Sequence, residues 1–138
     1  MAVAVARSRR VDGLIVSNTT VARPNNLQGK SAAEPGGLSG RPLFTLSTRM
    51  LAETYVRVEG AFPLIGVGGI DSGETAFAKI KAGASLVELY TGLVFRGLSS
   101  IGRIKSELTR LYRREGYANV RAAVGADATS WIQAPWPL

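Results

Sequence analysis

Three short apolar runs alternate along the chain with segments whose apolar residues recur at helical spacing. The runs are VDGLIVS (11–17), FPLIGV (62–67) and ASLVELY (84–90). Each is continuous rather than alternating and carries β-branched residues, a pattern typical of a parallel strand buried on both faces. We therefore predict strands near 14–17, 64–67 and 86–89, lying side by side and parallel.

Apolar stripes of helical period separate and follow these runs. The stripes consist of Leu46, Met50, Leu51, Tyr55 and Val58, then Phe77 and Ile80 with the stem of Lys81, and finally Ile101, Ile104, Leu108 and Leu111. Such alternation of strands and helices predicts an α/β fold built from parallel βα units.

Polar residues and glycines mark the ends of these helices. Asp71 followed by Glu74 resembles a capping box, and Gly83 stands where a glycine would end that helix. Ser99 or Ser100 is expected to cap the third helix, and Gly116 to terminate it.

The remaining segments have less periodicity. MAVAVA (1–6) resembles the last turns of a helix, and 21–42 is rich in proline and glycine, which predicts a long functional loop. AVGAD (123–127) is expected to close a short helix, and ATSWIQAPWPL (128–138) is expected to be an irregular tail. A parallel sheet of three strands needs cover on both faces, so we expect the chain to be part of a larger fold.

Composition removes several functional classes. The 138 residues include no cysteine and no histidine, which excludes disulfides, thiolate nucleophiles and the commonest zinc ligands. The net charge of +7 comes from basic residues without interleaved aromatics. We therefore interpret the basic residues as a solvent-exposed helix face and expect no nucleic-acid partner. No apolar run approaches the roughly 20 residues that span a bilayer, and we expect neither a targeting nor a transmembrane segment.

The glycine-rich turn in PLIGVGGIDSGETA (63–76) is the first candidate site. Glycine lets a ligand reach the main chain without meeting a Cβ, and amides at a helix N-terminus suit an anion. A purely structural tight turn is equally compatible with this segment. The next predicted strand ends in Tyr90-Thr91-Gly92, and two such consecutive loops fit the phosphate site that follows the last two strands of (β/α)₈ barrels.

Five motifs in order resemble the C-terminal part of the class 2, quinone-dependent dihydroorotate dehydrogenases. They are VDGLIVSNTT (11–20), GGLSGRPL (36–43), PLIGVGGIDSG (63–73), AGASLVELYTG (82–92) and AVGAD (123–127). The resemblance covers residues 1–127 and implies the last three βα units of a TIM (β/α)₈ barrel, an incomplete barrel. The GGLSG and glycine-turn motifs are shared with class 1, whereas the NTTVxRP and Tyr-Thr-Gly details resemble class 2.

The resemblance implies a flavin site and a substrate site. The FMN phosphate would be held by Gly69 in its turn with Gly68, and by the Tyr90–Thr91 pair, with further flavin contacts from Gly40 and Ser17. The family usually has threonine at the position of Ser17. Asn18 and Thr19 match the pair that binds the orotate ring, and an amide with a hydroxyl suits a planar ligand rich in carbonyls.

The resemblance also implies what other parts of the enzyme supply. The family's catalytic serine base, its flavin-contacting lysine and its membrane-associating helices lie upstream, so we assign no catalytic residue and no metal ligand here. None of Lys30, Lys79, Lys81 and Lys105 matches a family position.

The implied activity is oxidation of dihydroorotate to orotate in pyrimidine biosynthesis, with quinone as acceptor, by a peripheral enzyme on the cytoplasmic face of the cell membrane. The isolated chain is expected to be inactive. Two alternatives stay open: another FMN- or phosphate-binding TIM-barrel oxidoreductase, and a non-catalytic remnant or assembly partner.

Overall fold

The computed structural model describes residues 2–24, 27–28 and 32–137, so Lys30 and part of the predicted long loop lie outside the described residues. The elements are α1 (Ala2–Ser8), β1 (Leu14–Val16), α2 (Phe44–Val58), β2 (Leu64–Val67), α3 (Gly73–Lys81), β3 (Leu86–Glu88), α4 (Thr91–Arg96), α5 (Ser99–Arg114) and α6 (Ala128–Gln133), with 3-10 turns at Arg41–Leu43 and Val120–Ala123.

The strands form one parallel sheet in the order β1-β2-β3, which confirms the predicted parallel arrangement. Leu14 pairs with Leu64 in register, and Ile65 pairs with Leu86. Because parallel neighbours need a crossover, each connection carries a helix. β2 has the predicted bounds, whereas β1 and β3 each end one residue earlier than predicted, so that Ser17 and Leu89 lie in the loops that follow them.

The two faces of the sheet differ. Leu64 and Val16 face α2 and are almost fully buried in the main apolar core. On the other face Ile15 and Leu86 are 53% and 63% exposed, and no described helix covers them. The crossover helices all pack on the same face, so the apolar residues of the other face lack the cover that a parallel sheet needs, as expected for part of a larger fold.

The ends of α3 and α5 correct two predicted caps. Ser72, not Asp71, is the N-cap of α3, and its capping box is completed by Thr75 rather than Glu74. The hydroxyl of Ser100 donates to the Gly97 carbonyl at 2.6 Å inside the first turn of α5, which has no side-chain cap. The predicted C-terminal glycines are confirmed, because Gly83 and Gly116 directly follow the caps of these helices with positive φ.

The buried stripes differ from the predicted ones at two positions. Met50 is 39% exposed and Ile101 is 44% exposed. Ser47 and Thr48 of α2 are buried instead. The Thr48 hydroxyl donates back to the Phe44 carbonyl, and the Ser47 hydroxyl lies 3.1 Å from the carbonyl oxygens of Phe44 and Gly68. Such local bonds satisfy the hydroxyls, so that polar residues can occupy the buried stripe.

The C-terminal segment is ordered, and the predicted irregular tail is wrong for Ala128–Gln133, which forms α6. α6 packs against α2 and adds Trp131 and Ile132 to the main core. Gly125 of AVGAD lies against the ring of Tyr55, and Asp127 forms an ion pair with Lys81. A short helix held by tertiary contacts has too little periodicity to be found from sequence.

Candidate functional site

The loop after β1 presents exposed polar residues at the carboxyl edge of the sheet. Ser17, Asn18 and Thr19 follow the strand directly. The Asn18 side-chain oxygen accepts a hydrogen bond from the Thr19 N–H at 2.8 Å, which orients the amide. Thr20 then pairs with Leu38 in an isolated antiparallel bridge. This bridge brings the GGLSG segment beside the Asn-Thr-Thr segment.

Gly40, in the loop that follows β1, contacts the start of α4, which follows β3. It has a φ of +74°, and an added Cβ would lie 3.0 Å from the Thr91 Cγ2 atom. The neighbouring Ser39 hydroxyl accepts a hydrogen bond from the Thr91 hydroxyl at 3.0 Å. The GGLSG loop is thus fixed against the start of α4.

The glycine-rich turn after β2 packs against the first turn of α2. A Cβ on Gly69 would lie 2.6 Å from the Phe44 Cα atom, and one on Gly68 would lie 2.8 Å from the Ser47 Oγ atom. Both glycines also have positive φ. Packing against α2 is therefore sufficient to require glycine at both positions, and the ligand role of this turn stays a prediction.

The N-terminus of α3 is already satisfied by protein groups. The N–H groups of Asp71 and Ser72 donate to the Thr75 hydroxyl at 3.0 Å, and the Gly73 N–H donates to a Glu107 carboxylate oxygen at 2.6 Å. The expectation that this helix terminus receives an anion is therefore wrong for these amides, because each has an internal acceptor.

Free donors occur instead in the turn itself and at the start of α4. Within the described part of the chain, the N–H groups of Gly69, Thr91 and Gly92 have no acceptor. Backbone N–H groups are obligatory donors, and unpaired ones at a cavity wall favour an acceptor-rich ligand. Gly92 must be close to the turn, since a Cβ there would clash with the Ile70 carbonyl oxygen.

One cavity of about 280 Å³ brings all the sequence-predicted site residues together. Its lining includes Ser17, Asn18, Thr19, Gly40, Gly68, Gly69, Tyr90 and Thr91. The cavity lies at the carboxyl ends of the three strands, where barrels of parallel strands place their sites. The Tyr90 side chain is 78% exposed at its rim. The ligand role of each residue stays a prediction.

A second cavity of about 460 Å³ shares Gly40, Gly69 and Thr91 with the first. Asp71 lies in its wall between two arginines, 3.4 Å from Arg41 and 3.5 Å from Arg96. The Asp71 Oδ1 atom is buried and has no hydrogen-bond partner among the described residues. Arg41 and Asp71 lie within the motifs GGLSGRPL and PLIGVGGIDSG, but the resemblance assigned no role to either of them.

Lys79 is the second residue that the motif-based assignment omitted. Its side chain is fully buried behind the glycine turn, and its Nζ atom donates to the Ser47 hydroxyl at 2.5 Å. Burial lowers the pKa of Lys79 to about 7. Nothing in the sequence distinguishes it from the other lysine in the last turn of α3, Lys81.

The described residues lack both a metal-binding cluster and a helix that could span a membrane. They contain no group of three or more carboxylate, histidine or cysteine side chains placed to hold a metal ion. None of their helices is both long enough and apolar enough to cross a bilayer.

Three consecutive parallel βα units whose loops meet at the carboxyl ends of the strands define this chain as part of a parallel α/β barrel. The family model for dihydroorotate dehydrogenase matches residues 1–112. The chain belongs to the dihydroorotate dehydrogenase family, which confirms the resemblance drawn from its motifs.

Curated relatives carry the name dihydroorotate dehydrogenase (quinone). The protein from Bradyrhizobium diazoefficiens is 61% identical over 136 residues, which are 98% of this chain and 37% of that protein. The protein from Rhodopseudomonas palustris strain BisA53 is 56% identical over 135 residues. The chain thus spans about 37% of the length of these relatives.

The fold agrees with a solved structure of the same family. A ligand-free DHODH from Eimeria tenella superposes with a TM-score of 0.87 at 43% identity, over 91% of this chain and 35% of that one. The predicted fold, three βα units of an incomplete TIM barrel, is therefore confirmed.

Proposed function

We propose that this chain supplies the flavin phosphate site and one side of the orotate pocket of an FMN-dependent dihydroorotate dehydrogenase (quinone). The observation that carries the proposal is the set of unpaired N–H donors of Gly69, Thr91 and Gly92 at the cavity walls. A phosphate offers several acceptor oxygens to such donors, and the Thr91 hydroxyl adds another hydrogen-bonding group. The name and high identity of the relatives support the same conclusion.

The residues present fit FMN at its phosphate end. When bound, FMN supplies the hydride acceptor and passes the electrons on to a quinone. The residues of this chain bind and orient it. Gly40 and Ser17 line the same cavity as the phosphate donors and are proposed to contact the flavin beyond its phosphate. The exposed ring of Tyr90 stands at the cavity rim, where its backbone continues into Thr91.

The substrate side of the cavity is proposed to be Asn18 and Thr19. The Asn18 oxygen already accepts from the Thr19 N–H, which leaves its NH₂ group to donate to a substrate carbonyl. The Thr19 side chain packs against Gly37, where an added Cβ would clash with its hydroxyl. This contact restricts the rotamer of Thr19 and holds its hydroxyl in one direction.

Proton transfer from dihydroorotate is assigned to no residue of this chain. The catalytic serine base and the membrane-associating region of the family are proposed to lie outside it. In the whole enzyme we expect peripheral attachment to the cytoplasmic face of the cell membrane and a place in the synthesis of UMP.

A second candidate function, an assembly partner without its own activity, is favoured by one observation. Ile15 and Leu86 lie on the same sheet face and stay exposed, and among the described residues both outer strands have an unpaired edge. Uncovered apolar faces and free edges promote association. On this reading the chain folds and binds flavin only beside a complementary chain.

The test uses the full 138-residue chain in two samples. One sample is the chain alone, and the other is the chain co-expressed with the part of the Bradyrhizobium diazoefficiens relative that it does not match. We expect flavin absorbance and dihydroorotate-dependent dye reduction only in the co-expressed sample, since loss of positioned proton transfer alone typically costs about 10²–10⁴-fold.

Each other outcome selects an alternative. Flavin without dihydroorotate turnover in the co-expressed sample would favour another FMN-binding barrel. Absence of flavin from both samples would contradict the flavin site. Stoichiometric FMN and turnover in the chain alone would show that the catalytic machinery lies within these 138 residues.

A further inference from the structure

A buried hydrogen-bond chain runs from Lys79 to the back of the glycine turn. The Lys79 Nζ atom donates to the Ser47 Oγ atom at 2.5 Å. The Ser47 Oγ atom in turn lies 3.1 Å from both the Gly68 and the Phe44 carbonyl oxygens, which share its single hydroxyl proton. Lys79 and Ser47 are 0% and 2% exposed, so water does not compete for these groups. An ammonium group is thus linked by two hydrogen bonds to the proposed phosphate-binding turn.

The geometry of the peptide unit decides where this link acts. Gly68 C=O and Gly69 N–H belong to one planar trans peptide, so they point in opposite directions. The carbonyl points back at Ser47 on α2. The Gly69 N–H therefore points away from α2, and Gly69 lines both cavities on that side. A hydrogen bond that fixes the Gly68 carbonyl therefore also fixes the direction of the Gly69 N–H.

Lys79 has no anionic partner among the described residues. The carboxylate of Glu53 on the adjacent α2 forms ion pairs with Arg49 and Arg57. The described neighbours of the ammonium are the Ser47 hydroxyl and the ring of Phe44, whose centroid lies 5.4 Å from the Nζ atom. A buried charge without a counter-ion is costly, and a packing role alone would be met by methionine.

We propose that Lys79 is a positioning residue for the flavin phosphate, acting through Ser47 and the Gly68–Gly69 peptide. This inference rests on the proposed flavin site. The bound phosphate would be the counter-ion that Lys79 lacks, with the peptide between the two charges. Donation from an ammonium polarises the hydroxyl and the peptide beyond it, which strengthens the Gly69 N–H as a donor to an anion.

The role predicts a selective effect on phosphorylated flavin. Riboflavin has the same ring system as FMN but no phosphate, so the ratio of their dissociation constants isolates the phosphate contribution. In Lys79→Met we expect the dissociation constant of FMN to rise about tenfold or more, the range of one charge-assisted hydrogen bond. The constant for riboflavin should change less than about twofold.

The measurement is fluorescence titration of flavin-free protein with FMN and with riboflavin, using the co-expressed assembly. Ser47→Ala is the second variant, since it keeps the lysine and cuts the link. Lys105→Met is the matched control, because it removes the same charge from an exposed position on α5. We expect Ser47→Ala to weaken the binding of FMN but not of riboflavin. Lys105→Met should bind both flavins with the affinities of the parent.

The outcomes separate this inference from the function on which it rests. Equal affinity of the parent for FMN and riboflavin, or no binding of either, would contradict the proposed phosphate site itself. A parent that prefers FMN, with Lys79→Met and Ser47→Ala keeping that preference, would overturn the positioning role alone. If the variants bind FMN and riboflavin more weakly by the same factor, the positioning role of Lys79 is also overturned. If Lys79→Met does not fold, Ser47→Ala decides.

Discussion

The two lysines in the last turns of α3 occupy opposite environments although only one residue separates them. Lys79 is fully buried behind the glycine turn and donates to a neutral hydroxyl. Lys81 lies at the surface end of the helix, 3.0 Å from Glu115 and 2.9 Å from Asp127. Burial lowers the pKa of Lys79 to about 7. Burial acts in the same direction on Lys81, but the hydrogen bonds that its ammonium donates to the Asp127 and Glu115 carboxylates outweigh burial and raise its pKa.

The two lysines differ in whether a carboxylate compensates the positive charge. At Lys81 two carboxylates balance the ammonium and fasten the C-terminal segment to α3. No described carboxylate pairs with Lys79. The unfavourable free energy of its buried charge therefore arises next to the proposed ligand site. Strain and unpaired charge commonly collect where function requires them. The region around Lys79 should therefore govern ligand binding, and the region around Lys81 only stability.

The largest effect is expected when the glycine turn itself is changed. In Gly69→Val the new Cβ would meet the Phe44 backbone on α2, at a φ of +75° that valine rarely adopts. We expect a loss of more than about 4 kcal/mol in the free energy of unfolding and no flavin in the purified assembly. Absorbance at the flavin band and a thermal melt measure the two effects.

Gly102→Val is the matched control for that change. Gly102 lies in α5 with open space around its Cα atom and an ordinary φ. The free energy of unfolding of Gly102→Val should stay within about 0.5 kcal/mol of that of the parent, and its flavin content should be normal. Normal flavin content in Gly69→Val would count against the site.

Lys79→Met is expected to stabilise the flavin-free protein in a pH-dependent way. The folded state binds this proton more weakly than the unfolded chain, so the stability of the parent is lowest below pH 7 and rises from pH 7 towards 10.5. Below pH 7 we expect Lys79→Met to be more stable by about 3–5 kcal/mol, a gap that narrows by about 1.4 kcal/mol per pH unit above it.

Urea unfolding of the parent and of Lys79→Met between pH 6 and pH 10 measures that gap, and other titrating groups cancel in the difference. A gap that stays constant across this range would mean that Lys79 is not the group that titrates. A variant that is more stable but binds FMN less well would show that the buried charge serves the ligand at the expense of the fold.

Much of the fold was predictable because its signals are local. Each apolar run is continuous, and Gly83 and Gly116 mark helix ends through their positive φ. Parallel pairing then follows from the alternation of elements alone. The site residues Asn18 and Gly69 came from motif resemblance, since an Asn after a strand and a glycine turn are each common in unrelated proteins. Their shared cavity agrees with that reading, and their ligand roles stay untested.

The rest was not predictable because it depends on contacts distant in sequence. α6 is six residues long and is ordered by α2, which lies more than 60 residues earlier. Thr75 replaces Glu74 in the capping box of α3, a choice between two local acceptors. The burial of Lys79 follows from packing between α2 and β2, where the side chain lies beside Gly66. No sequence pattern separates it from a surface lysine.

Arg49→Met tests whether α6 is a stability element separate from the site. The Arg49 guanidinium donates to the carbonyls of Trp131 and Ala134 at 2.8 and 2.6 Å, and it stacks over the Trp136 ring. Losing these bonds should cost about 2–3 kcal/mol, with FMN affinity unchanged. The two tryptophans of the chain both lie in this segment, so tryptophan fluorescence reports its release.

Arg57→Met is the control for Arg49→Met. Arg57 pairs with the same Glu53, but its side chain is 61% exposed and makes no bond to the described residues of the C-terminal segment. Its fluorescence should match that of the parent. A parent-like spectrum in Arg49→Met as well would mean that α6 is held by its apolar contacts alone.

Lys81→Met should have the smallest effect and completes the contrast with Lys79. The carboxylates of its partners are 32% and 43% exposed, so solvent screens the ion pairs and their loss should cost only about 1 kcal/mol. Because the folded pKa of Lys81 is raised, this contribution is fully present below its ordinary pKa and is lost only at higher pH. The difference in stability between the parent and Lys81→Met should therefore be constant from pH 6 to 9 and smaller in high salt, whereas the difference for Lys79→Met changes with pH.

Lys105→Met is the control and should have the stability of the parent. Neither Lys81→Met nor Lys105→Met should alter the ratio of the dissociation constants of FMN and riboflavin. A change in that ratio in Lys81→Met would mean that positive charge anywhere on α3 supports phosphate binding, and the distinction between the two regions would fail.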